Sequence, residues 1–278
     1  MGKKLTSEEK ILRVVGKRDL SSNELERILR SVENASPKIH QNFEDYFEQK
    51  VKIGVFGDCH IGALEFDEPF FKEMVKRFKK EKVSRIYDVG VHLEGMSTRP
   101  GHVYQLKHIG FSQQIRKAAE LYNLFHTDVY GIDGNHDAWY QKKSDQGIIV
   151  GEELANRVKK YHHLGQDEAN IKIGKNVLMK MVHPGDGTAY AISYKMQKRM
   201  EAFTTTQKPN ILLSGHYHKA LYMFNRNIHG LECGTLCGQT QWMRSKNIPA
   251  HKGFWILEME IGKGGIGSFK PTFYAGYK

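Results

Sequence analysis

Four short segments of this 278-residue chain carry side chains that suit divalent metal ions. They are Gly57-Asp58-Cys59-His60, Gly134-Asn135-His136-Asp137, His183-Pro184 and Ser214-Gly215-His216-Tyr217-His218. Carboxylate, neutral imidazole and amide oxygen are ligands for borderline ions such as Mn²⁺, Fe²⁺ and Zn²⁺, and no thiolate cluster competes with them. In Asp-x-His and His-x-His the two ligands fall on the same side of an extended segment, because side chains alternate with a period of two. One such fragment means little: a lone histidine such as His40, His126 or His229 is more often a surface or satisfied core residue. Four fragments, each at the end of an apolar run, are hard to obtain by chance.

The apolar runs that lead into them read as strands. Val51–Phe56, Arg85–Val89, 128–132, Val177–Val182 and 211–213 are short and rich in β-branched residues. Amphipathic stretches at 69–82 and 112–126 read as helices between the first three, the former with Phe70, Phe71, Met74, Val75 and Phe78 on one side and lysines on the other. Strands alternating with helices predict an α/β layered architecture. Later runs, Ala220–Asn225, 253–261 and 269–274, read as antiparallel strands, with Pro271 confining the last to a sheet edge. In an open α/β sheet the loops after the strands converge on one crevice, so Asp58 and His218 can share a site despite their separation in sequence.

In this order the motifs resemble those of the calcineurin-like metallophosphoesterases, whose pattern is Asp-x-His, Gly-Asp, Gly-Asn-His-Asp/Glu, a lone His and Gly-His-x-His. The resemblance covers roughly residues 51 to 240 and implies a four-layer α-β-β-α sandwich. It implies one metal held by Asp58, His60 and His218 and a second held by Asn135, His183 and His216. Mn²⁺ is the first expectation, with Fe²⁺, Zn²⁺ or Mg²⁺ as substitutes. His136 would be the general acid that protonates the leaving oxygen, and Asp137 would orient its ring. Two cations about 3.5–4 Å apart would clamp the attacking and leaving oxygens and turn a bound water into hydroxide for in-line attack on phosphorus.

One block departs from that pattern. The family's Gly-Asp supplies a carboxylate shared by both metals, but here Gly90 is followed by Val91, whose isopropyl group cannot ligate a cation. Two dications without a shared anion repel strongly. Three accounts stay open: lost chemistry with a retained binding role, one tight and one weak metal with recruitment of Asp88, His92 or Glu94, or an altered position in an otherwise active enzyme.

The choice of phosphate ester rests on charge and on the loop after Val91. Lysine and arginine outnumber aspartate and glutamate 42 to 31, a net charge of +11 that favours polyanionic partners. Arg99 and His102 are candidates to hold a substrate phosphate, and Tyr104 to stack on a base. These features favour a DNA phosphodiesterase or nuclease. The alternatives are a small-molecule phosphodiesterase of the cyclic-nucleotide type, a protein phosphatase, and a catalytically silent nucleic-acid-binding module. Residues 1–49 read as a separate helical segment with capping boxes at Thr6-x-x-Glu9 and Ser21-x-x-Glu24 and apolar stripes at Leu25, Ile28, Leu29, Val32 and at Ile39, Phe43, Phe47. Such a segment is either a helix-turn-helix DNA reader or an appendage that packs on the main domain, 50–278, or forms a homodimer contact. No run approaches a membrane span or a secretory signal. Cys59, Cys233 and Cys237, an odd and sparse set, read as packing residues and point to a reducing, cytoplasmic setting.

Overall fold

In the computed structural model, which describes residues 43–45, 50–142 and 147–277, the apolar runs pair into two six-stranded sheets. The first contains β2 (Lys50–Phe56), β3 (Arg85–Asp88), β4 (Val129–Asp133), β5 (Tyr161–Gln166), β11 (Gly253–Gly262) and β12 (Gly265–Ala275), in the order β12-β11-β2-β3-β4-β5. The second contains β1 (Phe43–Glu44), β6 (Glu168–Gly174), β7 (Val177–Val182), β8 (Ile211–Ser214), β9 (Ala220–Asn225) and β10 (Ile228–Cys233), in the order β1-β6-β7-β8-β10-β9. Strands β2, β3, β4 and β5 run parallel as neighbours, and so do β7, β8 and β10. Each parallel run sends its strand ends to one rim.

The helices are α1 (Glu68–Lys80), α2 (Phe111–Tyr122), α3 (Ala138–Lys142), α4 (Val150–Ala155), α5 (Tyr194–Ala202) and α6 (Gln241–Ser245). Helix α1 starts where Asp67 accepts the Phe70 backbone N–H at 3.0 Å, and it buries the five apolar residues expected of its inner face. Three apolar clusters define four layers. Phe56, Phe71, Phe78, Leu121 and Leu154 fill the space between helices α1, α2, α4 and the first sheet. Ile53, Val55, Tyr87, Met179, Leu213 and Leu257 fill the space between the sheets. Met196 and Met200 of α5 cover Val182, Leu212 and Ile228 on the far side of the second sheet. The α-β-β-α sandwich is therefore the observed architecture. Strand β2 shows why both its faces are apolar: Ile53 and Val55 point between the sheets, while Phe56 points under the helices.

Pro271 sits on β12 opposite Leu257, and β12 is the outer strand of its sheet, the edge position expected of a residue without a backbone donor. The helical reading of residues 1–42 and 46–49 lies outside the described residues. Where that reading reaches Phe43, Glu44 and Asp45 it is corrected. Phe43 and Glu44 pair in parallel with Ile171 and Lys172 of β6. Asp45 is buried, accepting from Arg85 Nε at 3.2 Å and from the Tyr87 hydroxyl at 3.0 Å. It ties this segment to the first sheet and is not turned to solvent. No helix among the described residues is long and apolar enough to cross a membrane.

Candidate metal centre

The backbone turns sharply where each motif leaves its strand. Asp58, His60, His216 and His218 have φ of 48°, 54°, 80° and 54°, the left-handed region that asparagine, aspartate and histidine enter more readily than other non-glycine residues. Each such residue costs on the order of 1–3 kcal/mol, and the clustering of the strain at one rim marks a site the fold holds in place. The restraints are visible. Asp58 N–H donates to Gly90 O at 2.8 Å, His216 N–H donates to Asp58 Oδ2 at 2.8 Å, and His251 N–H donates to His218 O at 2.7 Å. Gly215 must lack a side chain, because a Cβ there would lie 2.8 Å from both His183 Nδ1 and Val89 O.

Two donor groups result. Asp58, His60 and His218 offer ligand atoms within 4.8 Å of one another. His60 Nδ1 donates to Glu94 Oε2 at 2.6 Å, which leaves Nε2 as a lone pair, and that lone pair faces His218 Nε2 at 2.9 Å. In the second group, His183 Nδ1 donates to Val89 O at 2.7 Å and His216 Nε2 donates to Asp186 O at 2.7 Å. Their remaining nitrogens then lie 2.9 Å and 3.2 Å from Asn135 Oδ1, three acceptors turned to one point. Acceptors facing acceptors suit a cation, and the carboxylate or carbonyl partners on the outer nitrogens of His60, His183 and His216 are the support that metal-binding imidazoles require, whereas His218 Nδ1 is buried without one. The donor set fits divalent metal.

Asp58 links the groups. Its Oδ1 is 3.5 Å from His218 Nε2, 3.9 Å from His183 Nε2 and 4.0 Å from His60 Nε2. Burial alone would raise its pKa, but the surrounding His218, His183 and His60 hold it well below the usual carboxylate range. Burial pushes His60 down to about 4 and His183 down to about 3, and it lowers His216 as well, so these rings are neutral near pH 7 and free to ligate.

His136 stands beside the first group. Its ring meets His60 edge-on with centroids 4.6 Å apart and stacks on Trp139 at 4.0 Å. Nδ1 donates to Glu94 O at 2.8 Å, so Nε2 is the atom left to carry a proton to a substrate. Burial works against the charged ring, yet Glu94 raises its pKa above the ordinary histidine value. The expected partnership with Asp137 is corrected. The Asp137 carboxylate accepts backbone N–H groups from Gly134, His92 and Leu93 at 2.9, 3.1 and 3.0 Å, which clasps the loops together. Glu94, not Asp137, orients His136.

The three expected substrate-binding residues separate. Arg99 lines the cavity over the first donor group. His102 is buried and donates Nε2 to Glu94 Oε1 at 2.8 Å, so it positions Glu94 and does not face substrate. Tyr104, on a 3-10 turn over His102–Gln105, is 84% exposed and does not line that cavity, whereas its neighbour Gln105 does.

Val91 is buried, and its backbone has φ 57°, a strained conformation for a β-branched residue. Its Cγ2 packs against Gly134, beside the His183 ring. Neither Asp88 nor His92 replaces the missing carboxylate. Asp88 receives Gly90 N–H, the Tyr122 hydroxyl and His92 Nδ1, and His92 Nε2 meets the Tyr161 hydroxyl at 2.8 Å. Burial opposes protonation of His92, but Asp88 and Asp137 carry its pKa up to about 10, so it is a buried cation paired with Asp88.

Two cavities open on the centre. One, about 310 Å³, is lined by Asp58, His60, His136, Arg99, Trp139 and Trp242 among others. The other, about 760 Å³, reaches from Asn135 and His183 to Lys142 and Arg199. Trp139 and Trp242 were not expected as site residues, and Glu94, expected only as a stand-in for the missing shared carboxylate, instead accepts from His60, His102 and His136. Trp139 lies three residues after His136, one helical turn on, a spacing that could have flagged it. Nearby, Glu232 of β10 is buried with no hydrogen-bond partner on either oxygen. Burial pushes it up to about 7, with Lys219 opposing. Its folded pKa exceeds the unfolded value, so stability rises as pH falls from above 7 toward 4.5. Glu232→Gln removes that dependence. The variant is expected to be more stable than the parent above pH 7, by up to roughly 3 kcal/mol, with the difference gone near pH 4.5 in denaturant melts at both pH values. Equal pH dependence in the two proteins would contradict the assignment.

No protein-family model matches the chain, and no curated protein matches it. Several solved structures are similar to it. An archaeal phosphodiesterase is 12% identical with a TM-score of 0.47, covering 81% of this chain and 100% of that one. A predicted phosphoesterase from Streptococcus pneumoniae is 14% identical with a TM-score of 0.42, covering 82% and 100%. Vps29 from Entamoeba histolytica, complexed with Zn²⁺, is 15% identical with a TM-score of 0.43, covering 81% and 99%. Two mixed six-stranded sheets between helical layers, with potential ligands delivered from strand ends onto one rim, make this the four-layer α-β-β-α sandwich that the motifs imply.

Proposed function

We propose that this chain is a metal-dependent phosphodiesterase that hydrolyses diester bonds in DNA. The observation that carries the reading is the ring of inward-facing acceptors around Asp58 Oδ1, with His136 Nε2 free beside it. Asp58, His60 and His218 would hold one divalent cation, and Asn135, His183 and His216 a second. Such cations supply charge neutralisation at phosphoryl oxygens and acidify water. His136 gives its Nε2 proton to the leaving oxygen, and Glu94 keeps the ring in place for that transfer. Arg99 offers a guanidinium to a non-bridging phosphate oxygen. The net charge of +11 favours a polyanionic substrate. The small volume of the Arg99 cavity favours the alternative, a small-molecule diester, and salt separates the two: a Michaelis constant that climbs with ionic strength marks DNA.

Asp58 belongs to the first group, where Glu94 also backs His60, and the second group, Asn135, His183 and His216, has no carboxylate of its own, so the first cation binds tightly and the second weakly. Val91→Asp adds an anion beside His183 and places at φ 57° a residue that accepts that conformation more easily. With bis(p-nitrophenyl) phosphate as substrate, the unaltered chain is expected to turn over only at high Mn²⁺, and Val91→Asp at a Mn²⁺ concentration lower by about tenfold or more. If neither protein hydrolyses the diester at any Mn²⁺ concentration, the proposal is wrong.

A further inference from the structure

The cavity over the first donor group is more aromatic than phosphate chemistry requires. Trp139 enters it from α3, packed against His136 with an interplanar angle of 29°. Trp242 enters it from α6 and remains 41% exposed, so its ring face is available at the cavity mouth. The Arg99 guanidinium lies over the Trp242 ring, 5.3 Å from its centroid, which steadies the indole and puts a positive charge at the rim. Met243 and Ile248 complete an apolar wall, while Thr188 and Thr240 add polar groups. A volume of about 310 Å³ is at the small end of ligand cavities, room for one nucleoside unit and not for a duplex.

Resting on the phosphodiesterase reading, we infer that this cavity is a nucleobase subsite: Trp242 and Trp139 take the flat face of one base while its phosphate lies at Asp58, His60 and His218. The substrate is then a nucleoside phosphate presented singly, as a free nucleotide or as the unpaired end of a DNA strand. Trp139 against His136 couples the two halves of the site, since a base stacked there sets where the phosphate falls relative to the proton donor. Stacking on an aromatic side chain tolerates any base, so the subsite selects nucleosides without selecting sequence.

Equilibrium binding in the presence of Mn²⁺, followed by calorimetry and tryptophan fluorescence, tests this with three probes: thymidine 5′-monophosphate, thymidine and deoxyribose 5-phosphate. Thymidine 5′-monophosphate is expected to bind about tenfold more tightly than deoxyribose 5-phosphate, with quenched tryptophan emission. In Trp242→Ala that ratio is expected to fall to near one, and in Trp242→Phe to be largely kept, which a general loss of folding would not produce. Equal affinities of the two phosphates in the unaltered protein overturn the base subsite and leave the phosphodiesterase reading standing. Thymidine binding with no gain from phosphate or Mn²⁺ does the reverse. Binding of none of the three overturns both. A single-stranded thymidylate tetramer that binds more tightly than the monophosphate identifies the strand end as the source; equal binding identifies the free nucleotide.

Discussion

Replacing His136 with alanine is expected to lower kcat for a nucleoside leaving group roughly a hundred- to ten-thousandfold, the range for loss of a positioned general acid. Its Nδ1 hydrogen is committed to Glu94 O, so the Nε2 proton is the one available to the leaving oxygen. A nucleoside alkoxide needs that proton in the transition state, whereas p-nitrophenolate leaves readily without it. With bis(p-nitrophenyl) phosphate the same substitution should therefore cost less than about tenfold. Metal content should not change, because His136 lies beside the donor groups and is not needed to complete either. The pH profile carries the sign. Glu94 raises the His136 pKa, so the acid form persists above the ordinary histidine value and the rate on nucleoside substrates falls as pH climbs through the raised pKa. Equal losses on both substrates, or loss of metal with the ring, would contradict the role.

Asp58→Asn should weaken metal binding at both groups by more than about a hundredfold, beyond the range seen when outer partners of a metal site are removed. The change keeps the shape of the side chain, removes its charge and turns one acceptor oxygen into an amide donor. Oδ1 is within 4.0 Å of His60, His183 and His218 Nε2, so one anion serves both clusters. A site with a separate carboxylate for each metal would lose only one ion. Val91 leaves this chain without the second anion, and the sensitivity should be correspondingly severe. Counting Mn²⁺ ions bound per chain before and after the substitution checks this, and retention of two ions at unchanged affinity would refute it.

The six proposed ligands were legible because each directly follows an apolar strand, and parallel neighbours carry such positions to one rim. What lay beyond hydrogen-bond reach of the chain's own neighbours was not legible. Asp137 follows His136 in sequence, yet its carboxylate serves three backbone N–H groups from two loops. His102 and Glu94 meet because the turn over His102–Gln105 folds back, which spacing does not announce. Among the elements, β2, α1, β3, α2 and β4 were clear from their alternation. Strand β5 has adjacent histidines, and β10 holds a glycine and the buried Glu232, so neither shows a β-type run. Strand β6 alternates through Ala169, Ile171 and Ile173, but Glu168, Asn170 and Lys172 lie between them and leave no continuous apolar run. Phe43 fits a helical stripe as well as a strand, and pairing with β6 decides for the strand.

The most direct test is hydrolysis of single-stranded DNA by chelator-stripped protein as Mn²⁺ is returned. No turnover in the stripped protein, recovery with added Mn²⁺ and failure to recover in Asp58→Asn are the expected results. Turnover that persists in chelator, or none at any Mn²⁺ concentration with the sites shown to be filled, would contradict a metal-dependent phosphodiesterase.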